Sequence, residues 1–309
     1  RATGDTEAVD DAMGVPIVRM AGRSWGKWQG AWSSLHVLPR LDPGLRVLCA
    51  TWPLAQSLAP WVQRGGARLA VAFHGSDLAR LKEAPRGLRR VVRHADALFP
   101  LSGFLGRELL RLGIEKPWTV LPLPLPLPLP QVADVEREGA SQGLLCVARP
   151  TPLKGVDRAV RLSQALDLPL TVVGLDPGQA RGLIGDELAG ATGVRFLGSM
   201  DVGRVRAMYP RYSATVLLPR VDVDGTGAEG LGQVLVESAL RGTPGIGCAT
   251  GGVSEAVGPG LVLEDPDDPD LERVRALLAD PAAGRRSREW AVAEHGPDRA
   301  VARLMEALA

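Results

Sequence analysis

Residues 221–258 read VDVDGTGAEGLGQVLVESALRGTPGIGCATGGVSEAVG, and the fold is decided in this stretch. Gly225, Gly227, Gly230 and Gly232 form a glycine-rich loop leading into a helix predicted to begin near Glu229 and end at Arg241. Such a loop leaves backbone amides and the positive end of a helix dipole facing whatever docks there, which makes it a phosphate cradle. A Gly-Thr-Pro turn follows, then a short apolar strand at Gly245–Cys248. Glu229 and Glu237 are eight residues apart, a little over two turns, so the predicted helix carries both carboxylates on one face, about 12 Å apart along its axis. An acid and a base acting on one bond lie within about 10 Å of each other. The longer spacing suits two grips on a long ligand, one on sugar hydroxyls near the helix start and one on a ribose further in.

Outward from this stretch, short apolar runs alternate with segments of helical period, the pattern of parallel βαβ units. Before residue 130, strands are predicted at Arg46–Thr51, Leu69–Phe73, Ala97–Pro100 and Thr119–Leu121, with helices at Pro53–Arg64, Leu88–Ala95 and Phe104–Leu112. Beyond it, strands are predicted at Leu144–Ala148, Leu170–Val173, Val194–Leu197, Ala214–Leu218, Gly245–Cys248 and Leu261–Leu263. Helices at Val156–Leu166, Val202–Met208, Glu229–Arg241 and Leu271–Leu278 complete the pattern. Leu121 to Pro130 reads LPLPLPLPLP, a run that can only be extended and serves as a semi-rigid linker. The expected fold is α/β: two Rossmann-like parallel-sheet domains, residues 1–130 and 131–309, facing a cleft at the carboxyl ends of their strands. The last helix is expected to cross back to the first domain.

The 309 residues, 45% hydrophobic and 23% charged, exclude a disordered or fibrous chain. No proline-free apolar run reaches the roughly 18 residues that span a membrane. Cys49, Cys146 and Cys248 are scattered, with neither a disulfide framework nor metal-ligand spacing, which suits a reducing cytoplasm. The net charge of +1 conceals an asymmetry: residues 1–130 carry 17 Lys and Arg against 10 Asp and Glu, the remainder 19 against 25. A basic half can face an anionic acceptor or surface, or it can be a solvated arginine-rich face. Arg86, Arg89, Arg90 and Arg93 share one helix edge. The thin apolar side opposite favours a solvated face, and peripheral contact with an anionic bilayer is the other reading.

EGLGQVLVE followed by a proline turn and TGGVSEAVG resembles the E-x7-E signature of retaining GT-B glycosyltransferases of family 4. The resemblance implies that Glu229 lies beside the donor sugar and that Glu237 binds the nucleotide ribose, with Gly230, Leu231 and Gly232 in the donor-binding loop. Residues 146–158, CVARPTPLKGVDR, resemble the family's G-R-x4-K-G segment, with Ala148 where glycine is usual; Arg149 and Lys154 would hold the donor diphosphate. Residues 72–80, AFHGSDLAR, resemble the first-lobe His-Gly segment, which places His74 near donor sugar and acceptor. Ser76 and Asp77 are then acceptor-side candidates. FLGS at 196–199 resembles the turn lining the base pocket, with Gly198 contributing backbone.

The resemblance implies transfer of a sugar from a nucleotide diphosphate sugar to a small-molecule, glycan or lipid acceptor with anomeric retention. Neither a cofactor nor a metal is expected, and Asp222 and Asp224 have metal-pair spacing but precede the cradle. No nucleic-acid partner is expected. With the arginine bias, 32 of 36 basic residues, the resemblance suggests an actinobacterial enzyme of secondary-metabolite or cell-envelope glycan synthesis, cytoplasmic or peripheral at the inner membrane face. It covers residues 46 to 270. Family 4 chains begin with a strand, a glycine-rich loop, a helix and a second strand, and nothing before Arg46 resembles that unit, so the first domain is expected to be truncated. Truncation favours one rival, a non-catalytic sugar-nucleotide-binding remnant. The other rival is a GT-B epimerase, which would need no acceptor.

Overall fold

The protein is described by a computed structural model covering residues 44–75, 77, 85–121, 143–221 and 228–309. Most of the proline-rich linker, Ser76, the Asp222–Asp224 pair and the chain before residue 44, with its expected truncation, lie outside the described residues.

In the first lobe β1 (Arg46–Cys49), β2 (Arg68–Phe73) and β3 (Ala97–Pro100) pair in parallel in the order β1-β2-β3, with α1 (Trp52–Arg64), α2 (Pro85–His94) and α3 (Gly103–Arg111) around them. Trp52, Ala55, Val62, Leu69, Val71, Leu88, Val91 and Leu109 form its main core. The strand expected at Thr119–Leu121 is reduced to a single parallel bridge between Leu98 and Trp118. Thr119 and Leu121 still donate to Leu98 O and Pro100 O, at 3.1 Å each. The next rung would need a donor from Pro100, which has no N–H, so the ladder stops there.

The second lobe holds β4 (Leu144–Val147), β5 (Leu170–Val173), β6 (Val194–Phe196), β7 (Ala214–Val216), β8 (Gly245–Cys248) and β9 (Leu261–Leu263). All pair in parallel, in the order β6-β5-β4-β7-β8-β9. Its strands are continuous apolar runs because both faces are covered. Leu144 and Cys146 pack toward α4 (Val156–Leu166) and α9 (Leu271–Ala279), while Leu145 packs against Tyr209 and Tyr212 beside α6 (Val202–Met208). The strand order reverses between β4 and β7, and a crevice opens at their carboxyl ends, the place where ligands bind in doubly wound sheets.

Several helices escape the sequence pattern: α5 (Pro177–Ala189), α8 (Val253–Val257), α10 (Ala283–His295) and α11 (Pro297–Ala307). Asp176 and Gln179 form a capping box ahead of α5, a legible signal offset by three glycines in that helix. The two lobes touch at the cleft and again through α11, whose Ala300 and Leu304 pack with Leu308 on Ala70, Ala97 and Phe99 of the first sheet. Arg303 donates to Val120 O at 2.7 Å, and Arg46 Nε to Leu308 O at 3.0 Å.

His295, at the end of α10, is buried, meets the Trp290 ring edge to face at 5.1 Å, and its Nδ1 has no hydrogen-bond partner among the described residues. Burial, with the charges of Arg299 and Arg303, holds its pKa down at about 4 against the opposing pull of Glu294. Below pH 6.5 the unfolded chain therefore takes up a proton that the folded one refuses until about pH 4. Stability falls through that window by up to about 1.4 kcal/mol per pH unit. Thermal denaturation is expected to show a loss of about 2 kcal/mol between pH 7 and pH 5 from this group, and a His295→Leu variant should lose that part of the pH dependence.

Candidate functional site

Two adjoining cavities occupy the crevice. The larger, about 570 Å³, lies in the second lobe between Arg149, Val173, Ser199, Met200, Tyr209 and Glu237. The smaller, about 340 Å³, lies between the lobes and is lined by His74, Gly75, Leu101, Ala228, Gly230 and Leu231. Arg149, Lys154, Glu229, Gly232 and Gln233 line both. A ligand extending from one cavity into the other must therefore pass two cations and the start of a helix.

Lys154 reaches this wall because of the turn that carries it. After β4 the chain makes a 3-10 turn at Pro152–Lys154 and reverses at Gly155, with φ 62° and ψ 37°. A Cβ at Gly155 would lie 1.8 Å from Leu218 O, so only glycine lets the loops after β4 and β7 approach this closely. The same two loops are sewn together by Arg220, whose N donates to Leu153 O at 2.8 Å and whose guanidinium grips Asp157 at 2.6 and 2.7 Å. Burial works to raise the Asp157 carboxyl, but the Arg220 fork and the charges of Arg220 and Arg161 outweigh it and hold it below the usual range. Lys154 Nζ is ion-paired with Glu229. Arg149 has no ion pair among the described residues.

The helix of the glycine-rich stretch, α7 (Gln233–Leu240), begins four residues later than its sequence predicts. Glu229 is therefore in the preceding loop and does not share a helix face with Glu237. Two constraints account for the shift. Gly232 takes a left-handed conformation, φ 89°, and the Glu229 carbonyl accepts from Gly252 N at 2.8 Å instead of from a helical amide. Gly232 provides no side-chain cap, so the amide end of α7 opens on the shared wall. Glu237, about one turn into α7, also lines the larger cavity. Its carboxylate accepts from Gln233 Nε2 at 3.2 Å and Tyr209 OH at 3.5 Å, with Arg206 at 3.8 Å. Burial, with Glu237 beside it, pushes the Tyr209 phenol up and keeps it a donor. Sequence reading missed Tyr209 and Arg206 because they come from the β6–β7 crossover, and only the fold brings that segment to α7.

His74 follows β2 and faces the smaller cavity. Its Nε2 lies 2.6 Å from Ala50 O. A carbonyl only accepts, so Nε2 is the donor in this contact. Asp77 lines neither cavity: it is buried, and its carboxylate accepts His74 N at 2.8 Å, closing the turn that aims the histidine. Gly198, φ 68°, accepts from Gly174 N and donates to Leu175 O, both at 2.7 Å, and the cavity wall beside it is made by Ser199 and Met200. Gly230 touches Gly75 backbone to backbone across the lobes. Leu231 packs into the core of α7 and α8, with part of its surface on the smaller cavity. On α2, Arg86, Arg89, Arg90 and Arg93 line an open groove with His94.

The sequence profile described as Glycosyl transferases group 1 matches residues 133–291, more than half of the chain. The chain belongs to that family. This transferase is 27% identical over 266 residues to the GDP-mannose-dependent monoacylated alpha-(1-6)-phosphatidylinositol monomannoside mannosyltransferase of Corynebacterium glutamicum, covering 76% of this chain and 69% of that one. It is 28% identical to the GDP-mannose-dependent alpha-(1-6)-phosphatidylinositol monomannoside mannosyltransferase of Mycolicibacterium smegmatis, over 79% of this chain and 70% of that one. In structure the transferase matches Anabaena HepE in complex with UDP and glucose, with a TM-score of 0.72, 14% identity, and coverage of 99% of this chain and 89% of that one. The sucrose-phosphate synthase of Thermosynechococcus elongatus matches with a TM-score of 0.64 and 20% identity, over 84% of this chain and 72% of that one. Two facing parallel-sheet lobes with this likeness are the GT-B fold.

Proposed function

We propose that the transferase moves a sugar from a nucleoside diphosphate sugar to an acceptor hydroxyl with retention of anomeric configuration, as family 4 enzymes do. One observation carries this reading: the cations Arg149 and Lys154 and the amide end of α7 form the wall shared by the two cavities. The nucleoside occupies the larger cavity with its ribose on Glu237, the diphosphate crosses the wall, and the sugar enters the smaller cavity beside His74 and Glu229. When the bond from C1 to the phosphate oxygen breaks, its electron pair goes to that oxygen. Arg149, Lys154 and the α7 amides then stabilise the developing negative charge from fixed positions. The acceptor hydroxyl attacks from the same face and passes its proton to the departing phosphate. The mannosyltransferase relatives favour GDP-mannose as donor and a cell-envelope lipid or glycan as acceptor, and the cationic groove on α2 suits an acceptor, or a bilayer, that carries negative charge.

The reading is tested by thermal shift with GDP-, UDP-, ADP- and dTDP-sugars, using Glu237→Ala and Lys154→Ala as controls. One nucleotide sugar at about one hundred times its Kd should add about 2.7 kcal/mol of stability, and both substitutions should remove most of that gain. If no nucleotide shifts the transition, or if the variants respond like the wild type, the site assignment is wrong. Binding without turnover would favour the sugar-nucleotide-binding remnant, and product without acceptor would favour epimerisation.

A further inference from the structure

The seam between the lobes closes on the loop that carries Glu229, and two of its side chains, Ser102 and Glu255, line neither cavity. Helix α3 of the first lobe points its amino end at the second lobe, and each of its leading amides has a partner. Gly103 N donates to Glu255 Oε2 at 2.6 Å and Phe104 N to Glu255 Oε1 at 2.8 Å, although Glu255 belongs to α8 of the other lobe. Leu105 N donates to Ser102 Oγ at 3.2 Å, and Gly106 N to Ser102 O at 3.1 Å. A helix start normally takes its cap from its own chain neighbours; here half of the cap is supplied from some 150 residues away.

Ser102 also reaches across. It is fully buried, and its hydroxyl donates to Gly230 O at 2.6 Å. The carbonyl of Glu229, one residue earlier, accepts from Gly252 N at 2.8 Å. Gly75 and Gly230 pack so closely that a Cβ on Gly230 would lie 2.4 Å from Gly75 Cα. Successive carbonyls of the segment that carries Glu229 are thus held by its own lobe, at Glu229 O, and by the first lobe, at Gly230 O.

We propose that Glu255 and Ser102 are positioning residues for transfer: they clasp the lobes at the Glu229–Gly230 peptide, so that Glu229 is set against the sugar only when the first lobe is docked. This rests on the function proposed above. Glu255 touches no substrate. Its effect passes through the α3 amides and Ser102 to Gly230. The clasp acts on the sugar side of the shared wall and leaves the nucleotide cavity, built wholly from the second lobe, unaffected.

The test measures kcat, donor KM, nucleotide Kd by calorimetry and the radius of gyration by small-angle scattering for Glu255→Ala, Glu255→Gln, Ser102→Ala and the wild type. Misplacing a reacting group by about an ångström costs on the order of 100-fold in rate, and Glu255→Ala should lose about that in kcat with nucleotide Kd unchanged and a larger radius of gyration. Ser102→Ala should behave similarly but less severely. Glu255→Gln keeps one acceptor for the α3 amides and should recover part of the rate. Equal kcat in wild type and variants, an unchanged radius of gyration, or a nucleotide affinity that falls in step with kcat would overturn the clasp. A wild type that binds no nucleotide would overturn the proposed function instead, and scattering from the unliganded variants would still decide whether Glu255 holds the lobes together.

Discussion

Lys154→Ala is expected to slow sugar transfer by two to three orders of magnitude while leaving the protein folded. Lys154 ends a 3-10 turn locked by Gly155 and by the Arg220–Asp157 fork, so the backbone that carries it is fixed, and the ion pair with Glu229 holds its ammonium on the shared wall. A preorganised donor aimed at developing charge typically contributes about 10²–10³ in rate, because it needs no reorganisation when the bond breaks. This ammonium is paired with Glu229 in surroundings that leave each side chain only 16% exposed. The substitution therefore also leaves a half-buried carboxylate without its partner, which costs stability as well. The measurement is kcat and donor KM under saturating acceptor. A drop confined to KM would mean that Lys154 only helps to hold the donor, and an unchanged kcat/KM would remove it from the site. Lys154→Arg keeps the charge but not the geometry of a point donor, so its rate should fall between the two.

Gly155→Ala should produce the largest stability loss of any single methyl added near the site. The residue sits at φ 62°, where a side chain is strained, and the new Cβ would meet Leu218 O at 1.8 Å and the Leu218 carbonyl carbon at 2.7 Å. Those atoms belong to the backbone leaving β7 and cannot rotate away. Strain of about 1–2 kcal/mol and overpacking of about 1–3 kcal/mol combine to a loss of roughly 3 kcal/mol, or about 6–12 °C in Tm for a domain of this size. Because the turn carries Lys154, nucleotide affinity should fall with stability. A variant with wild-type Tm would mean that the loops after β4 and β7 are not this close.

Much of the architecture was legible because four-residue apolar runs such as LLCV at Leu144 and LTVV at Leu170 can only be strands covered on both faces. The strands Leu170–Val173, Gly245–Cys248 and Leu261–Leu263 and the helix Val156–Leu166 coincide with their sequence expectation. The helix Ala283–His295 was not legible, because arginine recurs through it and its apolar face is thin, and Pro297–Ala307 was expected only as a last helix crossing back, without bounds. Among the site residues, Glu229 and Glu237 could be singled out from spacing and glycine context and Arg149 and Lys154 from the resemblance of their segment to the family's, and all four line one cavity. Their arrangement was misread in one respect. Periodicity placed Glu229 and Glu237 on one helix, whereas a bond from Gly252 holds Glu229 outside it.

By itself the sequence determined the parallel α/β character, the glycine positions that demand left-handed turns or close approach, and the side chains available for an anionic ligand, because these follow from local period, composition and backbone sterics. The tertiary structure decided which of those side chains meet. Lys154 and Glu229 are 75 residues apart and become partners only because β4 lies beside β7, where the strand order reverses. Ser102 stands just before α3 and Glu255 lies in α8, in segments that share no local pattern. Only the docking of one lobe on the other turns them into a clasp around Gly230, since the amides at the start of α3 take their remaining partners from a chain segment some 150 residues away.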